Sequence, residues 1–212
     1  MKLFVDSADP AEIGACVAAA GAAGVTTSLS QLAEAARRAG AAPHDLLRAI
    51  CGVANGPVAV AVSARADDRA AILREARELA AVAGNVVVEV PPGPATVEIV
   101  QACAAAHIRT ALGMSPSPSP EQALAAARAG ASFVSTPVGR VGGVDGGDVI
   151  RKLVALLRTW NANTEVVAGA IRTPTDVIDA ALAGAHAAAA PAAVLRQLPA
   201  ESVRNANAGG RP

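Results

Sequence analysis

The 212-residue chain has few aromatic residues, few lysines and no net charge, and each shortage excludes a class of function. Lysine plus arginine and aspartate plus glutamate each number 18, so no overall field attracts nucleic acid or an anionic membrane. The aromatic residues are Phe4, Phe133 and Trp160, too few for the stacking surfaces that bind single strands. Only Lys2 and Lys152 could serve as side-chain amine nucleophiles. We therefore expect no nucleic-acid partner and no membrane partner.

Cysteine is also scarce, and long apolar runs are missing. Cys16, Cys51 and Cys103 occur singly in alanine-rich stretches without CxxC spacing, which predicts buried thiols and a reducing compartment. The first residues, MKLFVDSADP, contain too few apolar side chains for a signal peptide. No run approaches the roughly 18 apolar residues that a membrane span needs. These features predict a soluble, cytoplasmic protein.

Short valine- and alanine-rich runs alternate with longer segments of helical period, the pattern of repeated βα units. Runs such as NVVVEVP are apolar throughout, which is typical of parallel strands covered on both faces. A doubly wound sheet would usually carry a GxGxxG turn after its first strand, whereas VDSADP follows here. The sequence predicts a single-domain α/β protein, a (β/α)8 barrel over residues 1–200, with a disordered or loosely attached tail at 201–212. The predicted strands are Lys2–Ser7, Gly24–Thr27, Pro57–Ser63, Asn85–Val90, Ile108–Met114, Ser132–Val138, Glu165–Ile171 and His186–Ala190.

Turn-forming residues predict where the helices begin and end. Helix starts are expected at Asp9-Pro10, after Asp67-Asp68, after Pro94 and at Pro120. Helix ends are expected at Gly84, Gly130 and Gly184. The proline-rich segment Ser115–Pro120 is predicted to be a loop.

Two carboxylates stand near the ends of otherwise apolar strands, where the working residues of such a barrel lie. They are Asp6 and Glu89, and burial of either without a partner costs several kcal/mol. With a period of two, Val87 and Glu89 share a face, which would bring Glu89 into the barrel mouth. One interpretation makes Asp6 and Glu89 catalytic; the alternative is a carboxylate satisfied by an arginine or by backbone amides.

Two loops offer an anion site. The segment VGRVGGVDGGDV places Arg140 and five glycines before a helix, and IRTPTDV places Arg172 beside the next helix start. Glycine amides, helix N-termini and arginine forks together suit a phosphate group. The alternative is a flexible surface loop.

Other polar residues give weaker indications. Ser28 follows VTT directly after a predicted strand and either caps the next helix or lines the pocket, and Ser135 in the sixth strand is a further pocket candidate. His44, His107 and His186 show no metal-ligand spacing, and we interpret them as structural. We expect neither a metal nor a cofactor.

Several segments together resemble a known family over nearly the whole chain: MKLFVDSADPAEI, GVTTSLSQLA, GPVAVAV, NVVVEVP, ALAAARAGASFVSTPVGR, TEVVAGAIRTP and ALAGAHAAAAP. They resemble the short bacterial transaldolases and fructose-6-phosphate aldolases. The resemblance implies a TIM barrel of the class I aldolase/transaldolase type, a phosphorylated-sugar substrate and a homo-oligomer. It matches Asp6 to the family aspartate, and Arg140 and Arg172 to the phosphate-binding arginines.

The resemblance also implies departures at the chemical positions. The family's Schiff-base lysine corresponds to Glu89, its asparagine after TT to Ser28, and its glutamate of the third strand to Ala61. Pro137 and Ala170 also replace expected polar or aromatic residues, and the C-terminal helix is shorter.

Two functions remain open from the sequence. The first is a barrel that binds a phosphorylated sugar or similar anion without normal transaldolase activity. The second is a sugar-phosphate isomerase, epimerase or lyase in which Glu89, its pKa raised by burial near Asp6, acts as general base. A metal-assisted aldolase using the two carboxylates is a third, weaker alternative, because no histidine is nearby.

Overall fold

A computed structural model of the protein describes residues 1–114, 119–140 and 142–198. Across these ranges, parallel strands close into a barrel in chain order, with β1 paired to both β2 and β8. The predicted (β/α)8 barrel is confirmed, and the strand predictions are correct to within two residues at each end. The strands are β1 Lys2–Asp6, β2 Gly24–Ser28, β3 Val58–Ala61, β4 Val86–Val90, β5 Thr110–Gly113, β6 Phe133–Pro137, β7 Glu165–Gly169 and β8 Ala187–Pro191.

Helices follow the strands and cover the outside of the barrel. Two of them, α2 and α3, lie between β2 and β3, and the last is a single turn after β8. The helices of the described ranges are α1 Pro10–Ala20, α2 Leu29–Ala39, α3 Pro43–Val53, α4 Arg69–Ala80, α5 Thr96–Ala105, α6 Pro120–Ala129, α7 Gly146–Thr159, α8 Pro174–Leu182 and α9 Ala192–Leu195.

The helix starts largely follow the predicted signals. Asp9 caps α1 by accepting the backbone N–H of Ala11 at 2.9 Å, and Pro10 occupies the first turn. Asp68 caps α4 in the same way, and Pro120 is the first residue of α6. The start of α5 lies at Thr96, two residues beyond the predicted proline.

The helix ends agree with the prediction at two of three glycines. Gly130 ends α6 in the left-handed conformation at φ 105°, and Gly184 adopts φ 87° directly after the last turn of α8. The prediction for Gly84 is wrong. α4 ends at Ala80 and is followed by a turn, so Gly84 lies in the turn immediately before β4.

The core has two layers because each parallel strand is covered on both faces. The larger layer packs valine, isoleucine and leucine side chains between the strands and the helices. Cys16, Cys51 and Cys103 are buried in this layer as free thiols, as predicted. The smaller layer lies inside the barrel and consists of Phe4, Ala59, Val87, Ala111, Phe133, Val167, Ala187 and Ala189.

Two phenylalanines fill the lower part of the barrel interior. The rings of Phe4 and Phe133 meet edge to face with their centroids 6.1 Å apart. The Phe4 ring fits because Gly24 has no side chain, since a Cβ there would lie 2.7 Å from the ring. The guanidinium of Arg109 lies 5.7 Å from the centroid of Phe133. Closure of the interior at this level leaves the opposite end, at the strand C-termini, as the open mouth.

Two sequence predictions lie outside the described residues. These are the tail at 201–212 and positions 115–118 of the proline-rich loop. Of that loop, Ser119 caps α6 by accepting the N–H of Gln122 at 3.3 Å. Within the described ranges, no helix is both long enough and apolar enough to span a membrane.

Candidate functional site

Glu89 points into the barrel mouth from the end of β4. It lies two residues after Val87, which belongs to the interior layer, so the predicted inward orientation is confirmed. Its carboxylate extends over Gly113 of β5, where a Cβ would come within 2.6 Å of Glu89 Oε1. The space for this carboxylate therefore exists because residue 113 is glycine.

Asp6 reaches the same mouth from the end of β1. Gln31, in the first turn of α2, donates from Nε2 to Asp6 Oδ1 at 3.5 Å, and the Thr26 side chain also hydrogen-bonds to Asp6. Strand pairing explains the second contact, because Asp6 and Thr26 are partners in the β1–β2 register. Asp6 thus has two polar partners on one side of the mouth.

The two carboxylates differ in how they are solvated. Burial raises the pKa of Asp6, while the hydrogen bonds from Gln31 and Thr26 act in the opposite direction. Burial, and secondly the negative charge of Asp6, raise the pKa of Glu89 from 4.5 to about 7. Among the described residues, no hydrogen bond or ion pair reaches the Glu89 carboxylate. Within the described residues, the structure therefore contradicts the alternative in which an arginine or backbone amides pair with the Glu89 carboxylate.

The two serine candidates occupy different settings. Ser28 caps α2, and its Oγ accepts the N–H of Gln31 at 3.1 Å. Its capping role is confirmed, and Ser28 is also paired with Ala61, the neighbour of Glu89 on β3. Ser135 of β6 is paired with Gly113, and its Oγ lies 3.5 Å from where a Cβ on Gly169 would be. Ser135 therefore lies between two glycines on the inward face.

Arg140 lies in the loop after β6, where the sequence predicts an anion site. Its guanidinium donates to the carbonyl of Gly143 at 3.1 Å and lies 3.7 Å from Asp145. Asp145 also caps α7 by accepting the N–H of Asp148. Arg140 is thus already paired with an aspartate at the start of the following helix.

Gly146 explains how tightly this loop folds. A Cβ on Gly146 would come within 2.1 Å of the Pro137 carbonyl oxygen and 2.5 Å of the Val138 carbonyl oxygen. Only glycine allows the start of α7 to approach the end of β6 so closely. This approach fixes the first turn of α7 close to the end of β6.

Arg172 lies in the loop after β7, at the start of α8. Its backbone N–H donates to Asp176 Oδ2 at 2.8 Å, as does that of Thr173, and Thr173 completes a capping box. The Arg172 side chain is exposed. Burial acts to raise the pKa of Asp176, but the hydrogen bonds from the Arg172 and Thr173 backbones outweigh it and lower that pKa, and the Arg172 charge adds a smaller effect. Ala170, two residues earlier, holds a positive φ of 54°, so the chain turns sharply here.

The remaining candidates lie away from the mouth. Lys2 begins β1 at the opposite end of the barrel and pairs with Glu165 at 2.7 Å, whereas Lys152 is exposed on α7. His186 Nδ1 accepts the N–H of Val166 at 2.9 Å, which is a structural role. His44 and His107 are exposed. Over the described ranges, His, Cys, Asp and Glu nowhere form a group of three suited to a metal ion.

Sequence reasoning missed two residues that shape this site, Gln31 and Gly113. The sequence does indicate Gln31. It is the third residue after the capping Ser28, so it lies in the first turn of α2, close to the end of β2. The sequence indicates Gly113 as well, since a glycine inside a strand often marks a close approach by another group. The partner of Gly113 could not be predicted without the register that pairs Glu89 with Ala111.

The described residues form an eight-stranded barrel with polar side chains at its C-terminal mouth. Comparison with known proteins shows which family this chain resembles. The family model described as Transaldolase/Fructose-6-phosphate aldolase matches residues 3–209. This chain belongs to that family. A "Probable transaldolase" of Sorangium cellulosum is 40% identical over 93% of this chain and 89% of its own length. One of Rhodospirillum centenum is 41% identical over 93% of this chain and 84% of its own.

Solved structures of lower identity share the barrel fold with this transaldolase-family chain, and they show nothing beyond the fold. A structure titled "Native KDPGal structure" superposes with a TM-score of 0.59 at 15% identity, covering 96% of this chain and 97% of the other. Tryptophan synthase from M. tuberculosis superposes with a TM-score of 0.62 at 19% identity, covering 94% and 85%. At these identities, the likeness extends to the fold and not to individual site residues.

Proposed function

We propose that this transaldolase-family barrel binds a phosphorylated sugar at its mouth without forming a Schiff base. The observation that carries the proposal is the side chain at the end of β4, which is the carboxylate of Glu89. A carboxylate cannot condense with a ketone to give an imine, so covalent aldol chemistry through this position is excluded.

The positions of the two lysines support the same conclusion. Lys2 is held by Glu165 at the end of the barrel opposite to Glu89, and Lys152 is exposed on the outside of α7. Neither amine lies on the inward face of a strand C-terminus. No side-chain amine of this chain is thus placed to replace the missing nucleophile.

The phosphate end of the proposed ligand is assigned to the loops after β6 and β7. The Arg172 guanidinium is exposed, and Arg140 is joined to Asp145 by a solvent-exposed ion pair at 3.7 Å. Exposed pairs of this kind contribute about 0–1 kcal/mol, so a phosphate could displace Asp145 at little cost. Both arginines would then make charge-assisted hydrogen bonds to the ligand.

Borohydride trapping tests the absence of an imine. We expect no mass increase after incubation with dihydroxyacetone or fructose 6-phosphate and reduction, because no amine faces the ligand. The Glu89→Lys variant is the matched control, since it returns an amine to the same position. A ligand-dependent adduct on the unaltered chain would contradict the proposal.

Calorimetry with fructose 6-phosphate and fructose tests the phosphate site. We expect the phosphorylated sugar to bind more tightly, and Arg172→Ala or Arg140→Ala to weaken its binding by roughly tenfold or more, as for loss of a hydrogen bond to a charged group. Arg158→Ala, an exposed arginine on α7, is the control and should leave affinity unchanged. Equal affinity for both sugars would refute the phosphate assignment.

A second candidate function is proton transfer on the bound sugar phosphate, and the pKa of Glu89 favours it. A carboxyl group with a pKa of about 7 is partly ionised at neutral pH and can both accept and return a proton. Glu89 would take the proton from a carbon next to the carbonyl, leaving an enediolate, and return it to the former carbonyl carbon while the hydroxyl proton passes from one enediolate oxygen to the other. The product would be the aldose–ketose isomer, with no covalent intermediate.

Proton NMR in heavy water measures this exchange directly. With fructose 6-phosphate or dihydroxyacetone phosphate, we expect protein-dependent loss of the signal of the proton next to the carbonyl, and we expect Glu89→Gln to abolish it. Glu78→Gln, an exposed carboxylate on α4, should exchange at the original rate. Exchange that persists in Glu89→Gln would remove this second candidate.

A further inference from the structure

A small cavity lies directly beside the Glu89 carboxyl group, away from the arginine loops. Its volume is about 130 Å³. Ala61 and Gly113, from the strands on either side of β4, form its walls with the residues that end β4. Besides Glu89, it is lined by Ala61, Val62, Val90, Pro91, Pro92 and Gly113.

Hydrogen bonds hold the loops that bound this cavity. Glu75 of α4 accepts the N–H and the hydroxyl of Ser63, both at 2.8 Å, and the N–H of Ala64 at 3.2 Å. In the next loop, Thr96 Oγ1 accepts the N–H of Gly93 at 2.7 Å. The cavity is therefore preformed and does not depend on a ligand to order its walls.

The two loops also pack directly on each other. A Cβ on Gly93 would come within 2.7 Å of the carbonyl oxygen of Ala66, so only glycine permits this contact. Close backbone packing of this kind restricts movement of either loop. The size of the cavity is thus set by the fold.

The chemistry of the lining limits what the cavity can hold. Every lining side chain except Glu89 is apolar, so a hydroxyl group placed there finds no side-chain partner in the described lining other than the Glu89 carboxyl. A carbonyl ligand would use that carboxyl itself, so further hydroxyls would face apolar side chains, which is unfavourable. A cavity of about 150 Å³ accommodates benzene, so about 130 Å³ suits a group of four or five heavy atoms.

We propose that this cavity is the subsite for the unphosphorylated end of the substrate and that it selects a short alkyl ketone or aldehyde over a polyhydroxylated one. The inference rests on the proposed function in placing Glu89 at the reacting end. It adds the substrate class: a carbonyl compound that carries a methyl or ethyl group where a sugar carries hydroxymethyl. Glu89 contacts the carbonyl group, and the alkyl end lies against Ala61, Val62 and Pro91.

The selectivity is tested with two neutral probes of equal heavy-atom count, 2-butanone and hydroxyacetone. Protein labelled with ¹³C at glutamate side-chain carbons reports binding through the Glu89 carboxyl signal, which is assigned by its absence in Glu89→Gln. We expect 2-butanone to bind about tenfold more tightly, at the lower end of the roughly 10–100-fold discrimination that an apolar pocket achieves between a methyl and a hydroxyl group. Equal binding, or tighter binding of hydroxyacetone, would overturn the inference.

Substitutions of the residues that line the cavity give a second test, which does not depend on comparing two probes. Ala61→Leu fills the cavity and should abolish the 2-butanone response, while Ala155→Leu, the same change at an exposed position of α7, should leave it intact. Val62→Ala enlarges the cavity and should shift the preference towards 3-pentanone. Ala61→Leu protein that binds 2-butanone as tightly as the unaltered chain would also overturn the inference.

The same samples separate this inference from the proposed function. Fructose and fructose 6-phosphate titrations report the arginine loops, whereas the Glu89 carboxyl signal with 2-butanone reports the cavity. Selective 2-butanone binding without any phosphate preference would support the subsite and refute the phosphate site. A phosphate preference without selectivity between the two ketones would support the phosphate site and refute the subsite.

Discussion

Replacement of Glu89 by glutamine should stabilise the protein at alkaline pH and have less effect at acidic pH. Because burial raises the pKa of Glu89 from 4.5 to about 7, the folded state holds this proton more tightly than the unfolded state does. Between these two values the folded chain binds more protons than the unfolded chain, so its stability falls as pH rises. The full penalty is present above pH 7 and absent well below pH 4.5.

The magnitude follows from the difference between the two pKa values. At about 1.4 kcal/mol for each unit of pKa, the ionised Glu89 lowers the free energy of unfolding by about 3 kcal/mol at pH 8.5. At pH 5 most of this penalty has gone, because the folded protein keeps Glu89 protonated. Glu89→Gln, which carries no charge at any pH, should therefore gain about 2–3 kcal/mol relative to the unaltered chain between pH 5 and pH 8.5.

Urea denaturation of both proteins gives their free energies of unfolding at pH 5 and pH 8.5. The gain is the stabilisation by Glu89→Gln at pH 8.5 minus its stabilisation at pH 5. Glu78→Gln is the matched control, because Glu78 is exposed on α4 and its substitution should give the same stability change at both pH values. A Glu89→Gln effect that is equal at pH 5 and pH 8.5 would refute the reasoning. It would mean that water or another group stabilises the ionised carboxylate in the folded state.

Three further substitutions test other parts of the structure. Asp6→Asn removes the second cause of the raised pKa of Glu89, so a ¹³C titration should show that pKa falling below about 7 while staying above 4.5, because burial is the larger cause. Gly146→Ala should lower the free energy of unfolding in urea by about 1–3 kcal/mol or more, since its Cβ would meet backbone carbonyl oxygens at the end of β6; an unchanged midpoint would contradict this contact. His186→Ala should cost about 1–3 kcal/mol in the same assay by leaving the N–H of Val166 without its acceptor, and a neutral effect would show that water replaces the imidazole.

The barrel was predictable because its strands differ sharply from the segments around them. A run such as VVVEV, with apolar residues on both faces, is typical of a parallel sheet covered on both sides, and eight such runs separated by helical segments allow few other topologies. The error at Gly84 shows the limit of such signals. A glycine near the end of a helical pattern predicts a helix end only if the helix reaches it, and α4 ends four residues earlier.

The candidate site was predictable residue by residue but not as an arrangement. The period of two placed Glu89 on the inward face, and the strand end placed Asp6 near it. The space that Glu89 occupies depends on Gly113, and the hydrogen bond to Asp6 depends on Gln31. Both contacts cross between elements that are far apart in sequence, so they follow from strand register and helix docking.

The surroundings of Glu89 favour a functional role for its carboxyl group over a structural one. A carboxylate kept for structural reasons would have hydrogen-bond donors as partners, as Glu75 does when it accepts three hydrogen bonds from Ser63 and Ala64. Glu89 has no such partner within the described residues, and Asp6 raises its pKa further. A group that destabilises the folded state in this way, beside a preformed cavity, is expected where a ligand supplies the missing contacts. The phenylalanines that fill the lower barrel lie below this layer, so the mouth can carry an unfavourable charge while the core remains fully packed.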